Sequence, residues 1–319
     1  MTVNNYIGEI AALSAALLWA ISSVVYSRLG LKIPPLQLNL YKGIIAIAFI
    51  LITLLIQGAT FTGLSTSTIV LLTLSGIIGI GLGDTAYFSA LNSLGARRTL
   101  LLETSSPPMG ALLALIFIGE QLVYSAWCGI LLTILGIAWV ISERNPVNNT
   151  SVSRSGIVWG LLAAIAQATG AVISRFALIQ SDISPLESTL IRLVGGTIIV
   201  VGLLLFPSAK QTATKWRLSW RSLSIIARQL VARVRCGQAL SRVEETVEVA
   251  IAAFGSTYLG IWLQQTSLKF APTGIAQTFL ATSPLFILPI VALQGEKISL
   301  RAIFGVVISL AGIALMFIR

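Results

Sequence analysis

Apolar runs of about 20 residues recur along nearly the whole chain, and no other feature limits the fold as much. They lie near 7–27, 36–56, 67–90, 99–118 and 125–142, and again near 155–174, 186–206, 249–268, 275–293 and 300–318. At about 1.5 Å per residue, each is long enough to cross a hydrocarbon layer about 30 Å thick. Only 10% of the 319 residues are charged and 56% are hydrophobic, whereas a soluble domain carries about 25% charged residues. Mean hydropathy is +0.92. The pattern predicts an all-α integral membrane protein with ten transmembrane helices, multi-pass in a plasma or inner cell membrane.

The same composition removes several classes of function. There is no histidine, and Cys128 and Cys236 are far apart, one in an apolar run and one in a basic segment. A disulfide framework, a zinc site and histidine acid/base chemistry are all unsupported. No G-x-x-x-x-G-K-[ST] phosphate loop is present, which argues against a primary pump. A membrane-embedded enzyme would have only the isolated carboxylates Asp84 and Glu103 to work with, so no enzymatic activity, cofactor or metal is expected. The excess of basic residues, 21 against 11, reports orientation and lipid contact in such a protein rather than nucleic acid. The first residues, MTVNNYIGEI, lack the basic start of a signal peptide, so the first run is read as retained.

The two sets of five runs can be laid on one another. Ser27 and Arg28 match Ser174 and Arg175; Pro35 and Lys42 match Pro185 and Arg192; Gly83 and Thr85 match Gly255 and Thr257; Ser106 and Pro107 match Ser283 and Pro284. Gly119, Glu120, Gly129 and Gly136 match Gly295, Glu296, Gly305 and Gly312 at a constant offset of 176. The chain therefore reads as residues 1–146 and 147–319, two copies of one unit. An odd number of spans per copy makes the second enter the membrane in the opposite sense. The expected architecture is two inverted five-helix repeats, the arrangement in which secondary transporters rock around a midplane site.

The second copy carries a basic insert, 209–247. Trp216, Trp220, Leu223, Ile226, Leu230 and Val234 recur at three- and four-residue spacing beside a stripe of arginines. That spacing fits either a helix lying on anionic lipid headgroups or a solvated loop helix. Sixteen Lys and Arg fall in the odd-numbered connections and three, Arg175, Lys269 and Arg319, on the other side. By the positive-inside rule this places both termini outside.

Charges within the spans are few. Lys42 and Arg192, about two turns from their helix starts, read as snorkelling to the headgroups. Asp84, after the run Gly76, Gly79, Gly81 and Gly83, and Glu103, one turn before Pro107, are candidates for proton coupling or for holding a cationic group; the alternative is a static pair with Lys42, or for Glu103 with Arg97 or Arg98. Pro107 and Pro284 fall mid-span at equivalent places, where each would free a carbonyl toward a cavity or be repaired by Ser105, Ser106, Thr282 or Ser283. Trp19, Tyr87, Thr104, Gln167, Tyr258, Gln277 and Thr278, with Trp262, complete the candidate lining. These neutral donors, acceptors and rings suit amphipathic or zwitterionic small molecules. Glu120 and Glu296 read as structural caps on the helices that follow them.

Leu18-Trp19-Ala20, the run Gly83 to Ala90 (GDTAYFSA), and Pro107 followed by Gly119-Glu120 and Gly129, repeated at Pro284, Gly295-Glu296 and Gly305, resemble the EamA-type branch of the drug/metabolite transporter superfamily. The resemblance covers nearly the whole chain, apart from the long basic insert and Ala166 at the counterpart of Trp19. It implies secondary transport by alternating access, often export of amino acids or related metabolites, with drugs or nucleotide sugars as alternatives within the superfamily. A membrane-embedded non-transport protein, enzyme or scaffold, or a channel, is the competing class. The resemblance also implies cytoplasmic termini, against the charge count.

Overall fold

A computed structural model describes residues 6–58, 64–141, 153–205, 239–293 and 300–316, and within them every regular element is helical. In the first half, α1 (Ile7–Leu29) is followed by α2 (Pro35–Gln57). The ring of Pro35 suits the first turn of α2, where its missing N–H would have had no partner, and Gly58 ends the helix in the left-handed region at φ 61°. The third helix, α3, comprises Thr66–Gly76, a π-helical stretch Ile77–Gly83, and Asp84–Leu94. Then come α4 (Ala96–Glu103), α5 (Ser106–Phe117) and α6 (Tyr124–Ile141).

The second half repeats this order. It contains α7 (Arg154–Ile179), α8 (Pro185–Leu205), and α9, which comprises Ala239–Ala252, a π-helical Ala253–Leu259 and Gly260–Phe270. It closes with α10 (Thr273–Leu280), α11 (Ser283–Leu293) and α12 (Leu300–Met316). Even the irregularities recur: each half has a seven-residue π stretch in its third helix and an eight-residue helix before a Ser-Pro start.

Among the described residues six helices are long and apolar enough to cross a membrane: α1, α2, α3, α7, α8, and α9 from Thr246 onward; α5, α6 and α12 contribute shorter apolar helices. Large apolar side chains cover the outside. Leu55 and Ile56 are each 80% exposed, and Ile116 and Phe117 71%. Water would penalise such a surface and lipid does not.

Two expectations need correction. The runs 99–118 and 275–293 are not single kinked helices. Each is split, at Thr104–Ser105 and at Ala281–Thr282, and Pro107 and Pro284 stand in the first turn of a new helix. A proline there removes no needed N–H, so the chain restarts at the proline rather than bending through it. The carbonyls at the breaks are met by hydroxyls: Ser105 donates to Leu102 O at 2.6 Å, Thr282 to Phe279 O at 2.6 Å and Ser283 to Leu280 O at 2.9 Å. Secondly, α9 begins at Ala239, about ten residues before the run that predicted it. The rest of the basic insert, 209–238, lies outside the described residues, as do Gly295 and Glu296.

Lipid gives no hydrophobic drive for helices to meet, so close approach at small residues has to hold the bundle. Along α6 and α12, Gly129, Thr133 and Gly136 lie opposite Gly312, Ser309 and Gly305 respectively, so the two helices pass in opposite directions. A Cβ added at Gly136 would sit 2.6 Å from Ser309 N, and one at Gly312 would sit 2.5 Å from Thr133 N. Thr133 and Ser309 also exchange hydroxyl-to-carbonyl bonds at 3.4 and 3.3 Å.

The first helix of each half lies along the third helix of the other. In α1, Gly8 meets Ala271, just past the end of α9, and Trp19 and Ser22 meet Gly260 and Gly255 of α9; in α7, Gly156, Ala166 and Gly170 meet Leu94, Gly83 and Gly79 of α3. The two halves are thus interleaved, and the space between them is walled by both.

Candidate functional site

That space is a central cavity of about 150 Å³. At about 10–15 Å³ per water on this measure, it has room for roughly ten waters, or a small metabolite of similar size. Its walls come from α1, α2 and α3 and from α7, α8 and α9, and its end from the α4–α5 and α10–α11 breaks.

The two π stretches shape the walls. In a π turn the regular i to i−4 bonding lapses, and the carbonyls released need other donors. Asn39 of α2 reaches into the first, donating to Ile80 O at 2.9 Å and Gly81 O at 3.2 Å. Trp19 of α1 reaches into the second and donates its indole N–H to Ser256 O at 2.8 Å. Asp84 and Ser256, one just after and one within these stretches, both line the cavity.

Of the residues singled out in the sequence, Trp19, Asp84, Tyr87, Glu103, Thr104, Pro107, Gln167, Gln277 and Pro284 lie on the cavity wall. Tyr258 and Thr278 lie off it. Tyr258 packs with its ring against Phe49, Phe254 and Trp262 and shares a 2.8 Å hydrogen bond with Thr53, while Thr278 is fully buried and donates to Gly274 O at 2.7 Å within its own helix.

Lys42 and Arg192 do not snorkel. Lys42 is 5% exposed and forms an ion pair with Asp84, and its ammonium lies 5.2 Å from the centre of the Phe88 ring. Arg192 is 1% exposed; its Nη1 donates to Gln265 Oε1 at 2.8 Å and to Gln264 Oε1 at 3.4 Å. Both basic groups line the cavity. The inward turn has a physical reason: α2 and α8 are walls of the space between the halves, so their charged ends find an acid or glutamine amides there rather than headgroups.

Glu120 also departs from expectation. It does not cap the helix that follows it. Its Oε1 accepts from Arg175 Nε and its Oε2 from the backbone N–H of Thr273, at 2.6 and 2.8 Å. Thr273 opens α10, so the carboxylate sits at a helix N-terminus of the other half, where the helix dipole favours it. Arg175 Nη1 donates in turn to Leu268 O and Lys269 O at 2.7 and 2.8 Å. The role is structural, but it ties the halves together.

The cavity wall is chemically unfinished. Ser106 Oγ, Arg192 Nε, Gln264 Nε2 and Gln277 Nε2 are buried and have no hydrogen-bond partner among the described residues, and all four residues line the cavity. Glu103 makes no hydrogen bond or ion pair through its side chain with a described residue. Buried polar atoms are nearly always paired, so such a cluster calls for water or a polar ligand. Sequence reasoning passed over Ser22, Ser23, Tyr26 and Gln264. The pair Gln264-Gln265 inside an apolar run was the available signal, since two adjacent amides in a span need internal partners.

Among the described residues no group of three or more acidic, cysteine or histidine side chains could hold a metal. No curated protein matches the chain. Solved structures do: one, described as "Crystal structure of protein", is 15% identical, covers 97% of this chain and 96% of its own, and superposes with a TM-score of 0.71. That likeness speaks for the fold. The family model described as "EamA-like transporter family" matches residues 6–142 and, a second time, residues 154–318.

Proposed function

The chain belongs to the EamA-like transporter family, within the drug/metabolite transporter superfamily, and is a multi-pass integral membrane protein; from this we propose that it is a secondary active carrier exporting small amphipathic or zwitterionic metabolites, amino acids among them. The observation that carries the reading is the unfinished cavity: it lies between two interleaved halves, holds something about the size of an amino acid, and presents polar atoms that no described residue satisfies. A static scaffold would fill or pair such a space.

In this reading the chain crosses the membrane ten times. The helices α4 and α5 together make one span and α10 and α11 another, and the halves are inverted repeats. Support comes from α6 and α12, equivalent helices that pass in opposite directions, and from the exchanged pairings of α1 with α9 and α7 with α3. Alternating access follows if each half rocks against the other about the cavity, with ligand shifting the population between two openings. The Glu120 to Arg175 link ties α10 and α7 on one side, and its release accompanies opening there.

Trans-stimulation tests the carrier directly. Proteoliposomes preloaded with unlabelled substrate should take up labelled substrate faster than empty ones; uptake indifferent to the internal pool would exclude a carrier. Proton coupling is tested on Asp84 and Glu103. Asp84→Asn or Glu103→Gln should keep binding and lose pH-driven uptake, and unchanged pH dependence in both variants would remove coupling from the mechanism.

A further inference from the structure

We propose that Arg192 and Gln264 hold a carboxylate of the transported compound, so that this cavity selects small molecules bearing one free carboxyl group. The inference deepens the carrier reading and rests on it for the purpose of the site.

The two halves differ in one charge. In the first, Lys42 on α2 has an internal counter-ion, Asp84 on α3. In the second, Arg192 occupies the position equivalent to Lys42, but the residue matching Asp84 is Ser256, and no Asp or Glu occurs anywhere from Val249 to Leu293. Among the described residues Arg192 has no carboxylate within ion-pair distance: Asp84 pairs with Lys42 and Glu120 with Arg175. A guanidinium 1% exposed therefore has two neutral amide oxygens as its acceptors and none at Nε among the described residues, and Asp84, the carboxylate whose charge reaches it, is held by Lys42. Burying a cation without its anion is strongly unfavourable, so the missing charge is expected from outside the chain.

The neighbours are arranged for that arrival. Gln265 is committed to the fold, since its Nε2 donates to Ser188 Oγ at 2.9 Å while its Oε1 steadies Arg192. Gln264 keeps Nε2 free, and it and Arg192 both line the cavity. A planar guanidinium next to a spare amide N–H matches the flat, two-oxygen shape of a carboxylate. With Lys42 paired to Asp84, Arg192 is the one basic group on the wall without a described carboxylate at ion-pair distance, which suits a monoanion better than a phosphate dianion, and about 150 Å³ suits a small one.

The test uses the purified full chain in detergent and its melting temperature. The probes are the free L-amino acids, their α-carboxamides, short-chain carboxylates and matched alkyl phosphates. At least one carboxylate should raise the melting temperature while its carboxamide and phosphate analogues do not. Arg192→Gln should weaken that carboxylate's apparent affinity by about tenfold or more, and Arg192→Lys by less, because charge survives without the planar fork. Should Arg192→Gln fail to fold, Gln264→Glu decides: it keeps the side-chain volume, gives Arg192 an internal anion, and should melt no lower than the parent while losing carboxylate binding.

Equal stabilisation by acid and carboxamide, no stabilisation by any carboxylate, or undiminished binding in Gln264→Glu would each overturn the proposal. Preference for phosphates would overturn it in favour of a dianion. If neutral or cationic compounds trans-stimulate and carboxylates do not bind, the subsite is wrong and the carrier stands. If carboxylates bind through Arg192 yet nothing trans-stimulates, the subsite stands and the carrier falls.

Discussion

Lys42 and Asp84 illustrate how much a single buried pair controls. With side chains 7% and 26% exposed, the pair lies between the surface and the fully buried case. Lys42→Met or Asp84→Asn alone leaves one charge unmatched and should lower stability by about 2 kcal/mol, whereas the double variant should recover most of the loss; thermal unfolding in detergent of the three proteins checks this. Equal loss in the double variant would mean the pair contributes nothing as a pair. Asn39 gives a second case. Asn39→Leu strips the side-chain donor from Ile80 O and removes the bonds to Gly81 O and Thr85 Oγ1, with Thr85 still donating to Gly81 O, and should cost about 1–3 kcal/mol by the same measurement. The polar residues of the wall were readable because a Trp, Gln or Thr within an apolar run stands out. Lys42 and Arg192 were misread because distance along a helix gives depth but not azimuth, and azimuth decided between headgroup and cavity. Tyr258 stood out equally, yet its ring joins an aromatic cluster with Phe254 and Trp262, each four residues away on α9, and with Phe49 of α2, which no spacing along α9 announces.

Among the elements, α6 and α12 depend on having no side chain where they cross. Gly136→Val would drive a branched chain into Ser309 and Gly305 O and should destabilise the protein by about 2 kcal/mol or more, read as a lowered melting temperature. Pro107→Ala should be nearly neutral for stability, within about 0.5 kcal/mol, since the ring stands in the first turn of α5; a mid-helix kink would predict a larger effect in either direction. The long apolar runs marked most helices to within a few residues, because a single run of lipid-compatible length has few alternatives. The breaks before Pro107 and Pro284 were not placed: the prolines were visible, but whether a helix bends through a proline or restarts at it depends on whether hydroxyls such as Ser105 can serve the exposed carbonyls. The π stretches left no periodic trace, since one added residue in seven is too small a shift to read in a run that is apolar on most sides.

On the scale of the whole molecule, neither half owns the cavity. Residues 1–146 and 147–319 produced as separate chains should each fail to bind ligand, and co-expression should restore uptake to a measurable fraction of the intact protein; uptake by either piece alone would show that the site does not need both. The duplication was legible from the Gly-Glu and Ser-Pro matches, and the family match follows the same two stretches. How the copies interleave was not, because nothing in a sequence says that α1 will lie on α9 rather than on α3. The paired π stretches carry one last consequence. Each is a helix wound one residue too loosely, held so by side chains from α1 or α2: Trp19 on one and Asn39 on the other. If that grip slips, rewinding to the ordinary pitch turns the extra residue into a regular helical step, lengthening the reach by about 1.5 Å and swivelling everything beyond by about 100°. Asp84 sits just past one such joint, so a change of winding would turn its carboxylate like a key.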